Sequence, residues 1–212
     1  MYYKYPRTPH LPFSLGTTSD DRLLSNTDHF KGMEIVVTEK LDGEGTSMYP
    51  DKIHARSIIS GDHDSRHWVK GLWGQIRYMI PEGWRICGEN VYAKHSILYN
   101  DLETYFYVFG IYDNHNICLS WKDTKLKCSE WGLKTVPEIK MLSSTFKESH
   151  LEDLGDFLDI TKKEGFVIRN ADAFNYEDHY NNVAKWVRPR HVQSSSHWMT
   201  EKIVPNKLRV NG

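Results

Sequence analysis

Short apolar runs, separated by glycine, proline and small polar residues, divide most of this chain into predicted strands. Runs rich in β-branched and aromatic residues with turn signals at both ends are typical of strands. They cover residues 34–41, 45–49, 52–59, 84–90, 104–112, 117–121, 165–169 and 183–187. The first three follow one another with only short turns between them, so we expect them to pair as a meander.

A helical spacing of apolar residues interrupts this strand pattern at three places. The clearest helix covers residues 65–80, before Pro81, and has this apolar face: Trp68, Leu72, Trp73, Ile76, Met79 and Ile80. Two more helices are predicted near residues 123–131 and 150–160. Strands joined by short turns form largely antiparallel sheets, and helices then pack outside them. The pattern therefore predicts an α+β fold.

Composition bounds the class of protein. The 212 residues, 39% of them hydrophobic and 13% aromatic, suffice for one large domain with its own core. We expect a single domain over residues 1–212, with an irregular lead-in at 1–30 and a short tail at 189–212. No apolar run approaches the ~20 residues that span a membrane, so we expect no membrane partner. Three cysteines without a C-x-x-C pair favour reduced thiols and a cytoplasmic location.

The charge pattern restricts how the chain would bind nucleic acid. Its net charge is −1, unlike that of a strongly basic nucleic-acid binder. Binding would need a local patch, for which segments 185–191 and 202–209 are candidates, and an ordinary charged surface is the alternative. The chain has no G-x-x-x-x-G-K-[ST] loop, which argues against a P-loop kinase or ATPase.

The segment from Thr38 to Gly45 carries the strongest chemical signal. It has the sequence T-E-K-L-D-G-E-G and runs from a predicted strand into a tight turn. Lys40 at the strand end would act as a nucleophile once nearby cations, a metal or burial lowered its pKa. The turn at Asp42-Gly43 would bring the Asp42 carboxylate close to a bound nucleotide. This K-x-D-G pattern resembles the active-site motif of the covalent nucleotidyltransferases: DNA ligases, RNA ligases and mRNA capping enzymes.

Four further motifs follow in the order of that family, on or beside predicted strands. They are G-E-N at 88–90, an aromatic strand at 105–113, E-G-F-V-I-R at 164–169 and V-A-K-W-V-R at 183–188. Each motif alone also suits an ordinary strand. Together, within residues 34–208, they resemble the ATP-dependent RNA ligases of the bacteriophage T4 RNA ligase 2 type, in their small stand-alone form.

That resemblance implies a fold and a chemistry. The fold is the nucleotidyltransferase (adenylyltransferase) fold, and residues 189–212 are too few for the OB domain of DNA ligases and capping enzymes. Lys40 would take AMP from ATP and pass it to a 5′-phosphate end, where a 3′-hydroxyl would displace it. The implied partners are RNA ends, ATP and Mg²⁺ or Mn²⁺, and we expect a monomer. A DNA or broad-specificity nick ligase and a non-catalytic module that binds nucleic-acid ends are the alternatives.

The resemblance also assigns roles to individual side chains. Lys40, Lys185 and Glu164 are the implied catalytic residues, and Glu164 with Glu89 would hold the metal. The implied nucleotide-binding residues are Glu39, Asp42, Gly43, Arg56, Glu89, Phe109, Lys185 and Arg188.

Several assignments have an alternative explanation. Phe109 would stack on adenine but also suits a core position, and Arg56 would contact ribose or a 5′-phosphate but also suits a solvated strand. The aromatic strand of the family often continues with aspartate, whereas Gly110 follows Phe109 here, which removes a side chain expected at the ribose or adenine. His63 and His67 have helical spacing that suggests a metal site, and a polar loop is the alternative.

The last motif departs from the family pattern in its cations. Where a second cation usually lies two residues after the first, this chain has Val187, and Arg188 comes one residue later. Side chains alternate along a regular strand, so only Lys185 would face the nucleotide. The alternative is that Pro189 ends the pairing and twists Arg188 back toward the site.

Overall fold

The structure is a computed structural model, and it describes residues 1–189 and 202–210. Its strands are β1 (Ile35–Lys40), β2 (Glu44–Met48), β3 (Ile53–Ala55), β4 (Arg85–Asn90), β5 (Phe106–Tyr112), β6 (Ile117–Cys118), β7 (Lys134–Thr135), β8 (Glu138–Leu142), β9 (Gly165–Asn170), β10 (Phe174–Asn175) and β11 (Val183–Val187). Its α-helices are α1 (His67–Ile76), α2 (Trp121–Glu130), α3 (Ser149–Phe157) and α4 (His179–Asn182). Single 3₁₀ turns lie at Asp28–Phe30, Asp64–Arg66, Arg77–Met79 and Tyr176–Asp178. In these described ranges, we find no helix with the length and apolar character needed to cross a membrane.

The strands form two sheets. Sheet A has the order β11-β9-β1-β8 and is antiparallel at every pairing. Sheet B has the order β10-β6-β5-β4-β2-β3, with antiparallel pairings, and β7 pairs with β5 in parallel. The predicted α+β class with largely antiparallel sheets is therefore confirmed.

The chain passes from sheet A to sheet B directly after Lys40. β1 lies between β8 and β9, whereas β2 pairs with β3 and β4, so the predicted three-strand meander is wrong at its first pairing. β1 is buried from Ile35 to Glu39, which suits an interior strand rather than one arm of a hairpin. The turn between the sheets packs against the end of β4, since a Cβ on Gly43 would lie 2.4 Å from the carbonyl oxygen of Asn90.

A helix packs against each sheet, and a third apolar cluster joins the two. α3 contributes the fully buried Leu151, which clusters with Phe166 and Trp186 of sheet A. α1 contributes Val69 and Ile76, which cluster with strands of sheet B. Val36 of sheet A and Tyr107 of sheet B share the third cluster with three residues from connecting segments: Leu41, Val91 and Leu102.

The lead-in extends sheet A, although its polar composition predicts an irregular segment. Leu11 donates its backbone N–H to the carbonyl oxygen of Lys185 at 2.8 Å, and Lys185 donates to that of Pro9 at 2.9 Å. Leu24 donates in turn to the carbonyl oxygen of His10 at 2.9 Å. The lead-in therefore runs beside β11. Because the hydrogen bonds are between backbone groups, they require no periodic pattern of side chains, and the sequence did not predict this pairing.

The other predicted elements exist with shifts at their ends. The helix predicted at 65–80 is α1 between two 3₁₀ turns, and the strands predicted at 52–59 and 117–121 are only β3 and β6. Trp121 begins α2 instead, because the side chain of Ser120 caps that helix. β8 was not predicted, since most of its residues are exposed and give no apolar alternation.

Residues 202–210 lie against the loop that follows β4. Isolated bridges join Ala93 to Pro205 and Leu102 to Leu208. Part of the basic patch predicted at 185–191 lies outside the described residues. The assignment of the whole chain to one domain stays a prediction.

Candidate functional site

A cavity of about 420 Å³ lies between the two sheets, and it gathers most of the predicted site residues. Sheet A contributes side chains from β1, β9 and β11, sheet B contributes β2, β4 and β5, and the lead-in forms a further wall. The predicted residues that line it are Glu39, Lys40, Arg56, Glu89, Phe109 and Lys185.

Lys40 and Glu164 form an ion pair beside this cavity. The Lys40 Nζ donates to Glu164 Oε2 at 2.5 Å, and the Glu164 side chain is 7% exposed. β1 and β9 set this geometry, because Lys40 pairs in register with Gly165, the neighbour of Glu164. Gly165 also permits close approach of β11, since a Cβ there would lie 2.0 Å from the carbonyl oxygen of Trp186.

The ion pair reverses the pKa shift that was expected for the nucleophile. Burial lowers the pKa of Lys40, but attraction to Glu164, Glu89 and Asp42 outweighs burial, and the net pKa is raised. These neighbours therefore favour the protonated amine, and the lowering of the Lys40 pKa by a metal stays a prediction. The second cation behaves differently: burial first, and then repulsion by Lys40, lower the pKa of Lys185.

Two carboxyl groups with raised pKa values lie next to Lys40. Burial raises the pKa of Glu89 to about 8 against the attraction of Lys40, with added repulsion from Glu164 and Asp42. Burial likewise raises the pKa of Glu164 against the attraction of Lys40. Crowded, desolvated carboxylates are the environment in which a bound cation is favoured.

The donor set fits a divalent cation that shares its shell with a nucleotide. Mg²⁺ and Mn²⁺ prefer oxygen ligands, and Mg²⁺ usually takes one or two carboxylates together with phosphates and water. Glu89 and Glu164 supply two such carboxylates. Within residues 1–189 and 202–210, no group of three His, Cys, Asp or Glu side chains is arranged to hold a metal alone. His63 instead bonds through Nδ1 to Ser65 Oγ at 2.7 Å, and His67 faces acidic residues of the same loop.

The far side of the cavity is aromatic. Phe109 is half-buried there, and the ring of Tyr5 from the lead-in meets it edge-on, with centroids 4.7 Å apart. Arg169 holds the backbone below them by donating to the carbonyl oxygens of Phe109 at 3.3 Å and Leu119 at 2.8 Å. Tyr5 and Arg169 were not predicted as site residues. The aromatic composition of the first five residues was the only signal for Tyr5.

Glu39 and Arg56 both line the cavity, but their surroundings differ. Glu39 forms an ion pair with Lys163 while it lines the cavity. Arg56 follows β3 and is exposed, and its charge contributes to the lowered pKa of Lys185. Their roles toward a nucleotide stay predictions.

The last motif has the geometry of a regular strand. β11 pairs with β9 without a register shift from Val183 to Val187, and Lys185 faces the cavity. Arg188 lies outside the cavity and is buried, and it donates to the carbonyl oxygen of Ile160 at 2.7 Å and to Ser96 Oγ at 3.2 Å. Direct contact of Arg188 with a nucleotide stays a prediction.

The lead-in supplies a partner for Lys185 that the sequence did not indicate. The Lys185 Nζ lies 3.8 Å from Asp21 Oδ1, and His10 Nε2 lies 3.4 Å from the same oxygen. Thr18 donates its backbone N–H and its hydroxyl to the other oxygen of Asp21, at 3.0 and 2.9 Å. Asp21 is therefore fixed beside the second lysine.

Asp42 and Gly43 shape the turn after Lys40. Asp42 does not line the cavity, because its Oδ2 accepts three hydrogen bonds: Ser96 N and Oγ at 2.7 Å each and Ile97 N at 2.9 Å. Gly43 donates its backbone N–H to Glu89, which lies in the cavity. The predicted nucleotide contacts of Asp42 and Gly43 remain untested, and sequence spacing gave no sign of the partners in the Ser96–Ile97 loop.

Solved structures with the same fold are RNA ligases of the nucleotidyltransferase class. The Naegleria gruberi RNA ligase with pyrophosphate aligns with a TM-score of 0.54 at 18% identity, over 76% of this chain and 51% of that ligase. An archaeal ATP-dependent RNA ligase aligns with a TM-score of 0.59 at 14% identity, over 90% of this chain and 49% of that ligase. A Naegleria gruberi variant with ATP and Mn aligns with a TM-score of 0.54 at 17% identity, over 79% and 53%.

The sequence model of the RNA ligase family matches residues 33–187. This match spans more than half of the chain, which therefore belongs to the RNA ligase family. The chain covers about half the length of the ligases compared above. No curated protein matches it significantly.

Proposed function

We propose that this protein is an ATP-dependent RNA ligase that joins 5′-phosphate and 3′-hydroxyl ends of RNA, in RNA repair or end sealing. The observation that carries the proposal is Lys40, which lines the cavity with its Nζ 2.5 Å from Glu164. A lysine nucleophile beside two carboxylates and a second lysine suits transfer of a nucleotidyl group. Membership of the family and similar ligases solved with ATP and Mn support ATP as the AMP donor.

In the first step, the Lys40 nitrogen attacks the α-phosphorus of ATP. A nitrogen–phosphorus bond forms, the bond from this phosphorus to the bridging oxygen of the β-phosphate breaks, and pyrophosphate leaves with the electron pair. Lys40 must first lose a proton, and its Nζ already donates to Glu164 Oε2. The raised pKa of Glu164 makes it a better acceptor of that proton.

Lys185 and the carboxylates then act on the charge of the reacting phosphate. Lys185 faces the cavity from β11 and would stabilise the negative charge on the oxygens of the α-phosphate. A divalent cation held by Glu89 and Glu164 would offset further negative charge there. Phe109 and Tyr5 provide an apolar surface on which the base would lie.

The remaining steps use the lysyl-AMP. A 5′-phosphate oxygen of RNA attacks the phosphorus of AMP, and the bond to Lys40 breaks to release the amine. The 3′-hydroxyl of the other end then attacks the activated 5′-phosphate, and AMP leaves. We place this chemistry in a cytoplasmic compartment, since Cys87, Cys118 and Cys128 are free and buried.

The test is formation of the covalent intermediate. Wild-type protein with α-labelled ATP and Mg²⁺ or Mn²⁺ should retain the label, which acid but not alkali releases from a phosphoramidate. Lys40→Ala should fold and remain unlabelled, whereas Lys31→Ala, which changes an exposed lysine, should label like wild type. End-joining assays with RNA, DNA and hybrid nicks then define the substrate, and exclusive joining of DNA would contradict the RNA assignment.

A further inference from the structure

The tail segment 202–210 forms hydrogen bonds with both the backbone N–H and the backbone carbonyl oxygen of Tyr99, in the loop after β4. Asn206 is 1% exposed, and its Oδ1 accepts the backbone N–H of Tyr99 at 2.9 Å. The neighbouring Lys207 donates its backbone N–H to the carbonyl oxygen of Tyr99 at the same distance. The Asn206 side chain also donates to the carbonyl oxygen of Val91 at 2.8 Å. The position of Tyr99 is therefore fixed by the tail.

The side chain of Tyr99 reaches from this loop to the turn that follows the nucleophile. Its hydroxyl oxygen accepts the backbone N–H of Asp42 at 2.9 Å. Burial raises the pKa of Tyr99, so the phenol is neutral and keeps its proton. Asp42 lies two residues after Lys40, and the buried Leu41 connects them.

Other contacts of the same loop reinforce this support. The carboxylate of Asp42 is held by Ser96 and Ile97, and Arg188 donates to the Ser96 hydroxyl at 3.2 Å. Asp42, in the turn after Lys40, is thus hydrogen-bonded through its backbone N–H to Tyr99 and through its carboxylate to Ser96. Neither Tyr99 nor Asn206 lines the cavity.

We propose that Tyr99 and Asn206 are positioning residues for the nucleophile: Asn206 fixes Tyr99, and Tyr99 fixes the turn that directly follows Lys40. This inference rests on the proposed function. Small displacements of a reacting group lower the rate strongly, and an error of about 1 Å can cost roughly 10²-fold. Because the two residues do not contact the cavity, their loss should lower the rate of adenylylation of Lys40 and leave the KM for ATP unchanged.

A purely structural role makes a different prediction. If the tail only stabilised the fold, Tyr99→Phe and Asn206→Ala would lower the melting temperature, and the protein that remained folded would react at the normal rate. The rate at saturating ATP, measured well below the melting temperature, therefore distinguishes positioning from stability.

The experiment uses the full chain and four variants. Single-turnover labelling with ATP is measured across ATP concentrations for Tyr99→Phe, Asn206→Ala, the double variant and Arg209→Ala, each with a thermal unfolding curve. Arg209→Ala is the matched control, because Arg209 lies in the same segment but pairs with the exposed Asp101 at 2.9 and 3.0 Å. We expect both single variants to lose about tenfold in maximal rate with KM within about twofold of wild type.

The double variant tests whether Asn206 acts through the Tyr99 hydroxyl. Two residues in one hydrogen-bonded chain give non-additive effects, so the double variant should be about as slow as Tyr99→Phe alone. Wild-type rates for a folded Tyr99→Phe, or losses that multiply in the double variant, would overturn the inference while leaving the proposed function intact. If Asn206→Ala does not fold, Tyr99→Phe alone decides. Failure of the wild-type protein to label would instead overturn the proposed function and this inference with it.

Discussion

The placement of the last two cations yields a prediction that separates catalysis from stability. Lys185 faces the cavity with a side chain that is 21% exposed, next to Asp21 at 3.8 Å. Arg188, three residues on, is 7% exposed and bonds to the Ile160 carbonyl oxygen and Ser96 Oγ on the other side of the strand. Replacing each by alanine should therefore affect different properties of the protein.

The expected magnitudes follow from these contacts. Removing a group that stabilises charge in the transition state typically costs about 10²–10³ in rate, so Lys185→Ala should nearly abolish adenylylation of Lys40. A hydrogen bond to a charged group contributes roughly 1.5–3 kcal/mol, so Arg188→Ala should lower the free energy of unfolding by about 3 kcal/mol. Its adenylylation rate should stay within about threefold of wild type, because the contacts of Asp42 with Ser96 and Ile97 remain.

Two assays on each variant decide between these effects. Single-turnover labelling at saturating ATP gives the adenylylation rate, and denaturant unfolding gives the free energy of unfolding. Joining of a pre-adenylylated strand reports the last step separately. If Arg188→Ala loses adenylylation as fully as Lys185→Ala while it remains folded, both cations serve the nucleotide and the regular-strand account is wrong.

Three further predictions concern the base, the strand contact beside the nucleophile and acid stability. ATP should label the protein far better than GTP, and preferential labelling with GTP would point to the capping-enzyme branch. Gly165→Ala should lower the free energy of unfolding by about 1–3 kcal/mol or more, because its Cβ would meet the backbone of Trp186. The control in the same denaturation assay is Gly74→Ala, whose Cβ would meet nothing within 4 Å. Equal stability of the two variants would refute the close contact at Gly165. Burial, with the charge of Arg169, lowers the pKa of His179 from 6.5 to about 3. Between these two pH values the imidazole is protonated in the unfolded chain but not in the folded one. The free energy of unfolding should therefore fall as the pH drops from about 6.5 toward 3. His179→Gln should show a shallower fall in acid-denaturation curves, and an unchanged slope would exclude this histidine as a source.

Sequence patterns located the strands that carry the site better than they located the pairing between them. Motif order placed Lys40, Glu89 and Lys185 correctly on β1, β4 and β11, around one cavity. Strand alternation also separated Lys185 from Arg188, because β11 has no bulge. The assignment of β1 and β2 to one meander failed, since a short turn after a strand can lead into a second sheet as readily as into a hairpin.

Contacts made by irregular segments were beyond prediction from the sequence. Asp21 and Tyr5 reach the cavity from a lead-in whose order depends on backbone hydrogen bonds, which leave no periodic pattern. Tyr99 meets Asp42 only because the loop after β4 folds against the turn after β1. The direction of the pKa shift of Lys40 depends on its distances to three carboxylates, and a sequence does not contain those distances.

The most direct test of the account is to locate the AMP on the protein. Wild-type protein is incubated with ATP and Mg²⁺, digested under alkaline conditions that preserve a phosphoramidate, and examined by peptide mass spectrometry. The account predicts one AMP adduct, on Lys40. An adduct on Lys163 or Lys185 instead, with Lys40 unmodified, would contradict it.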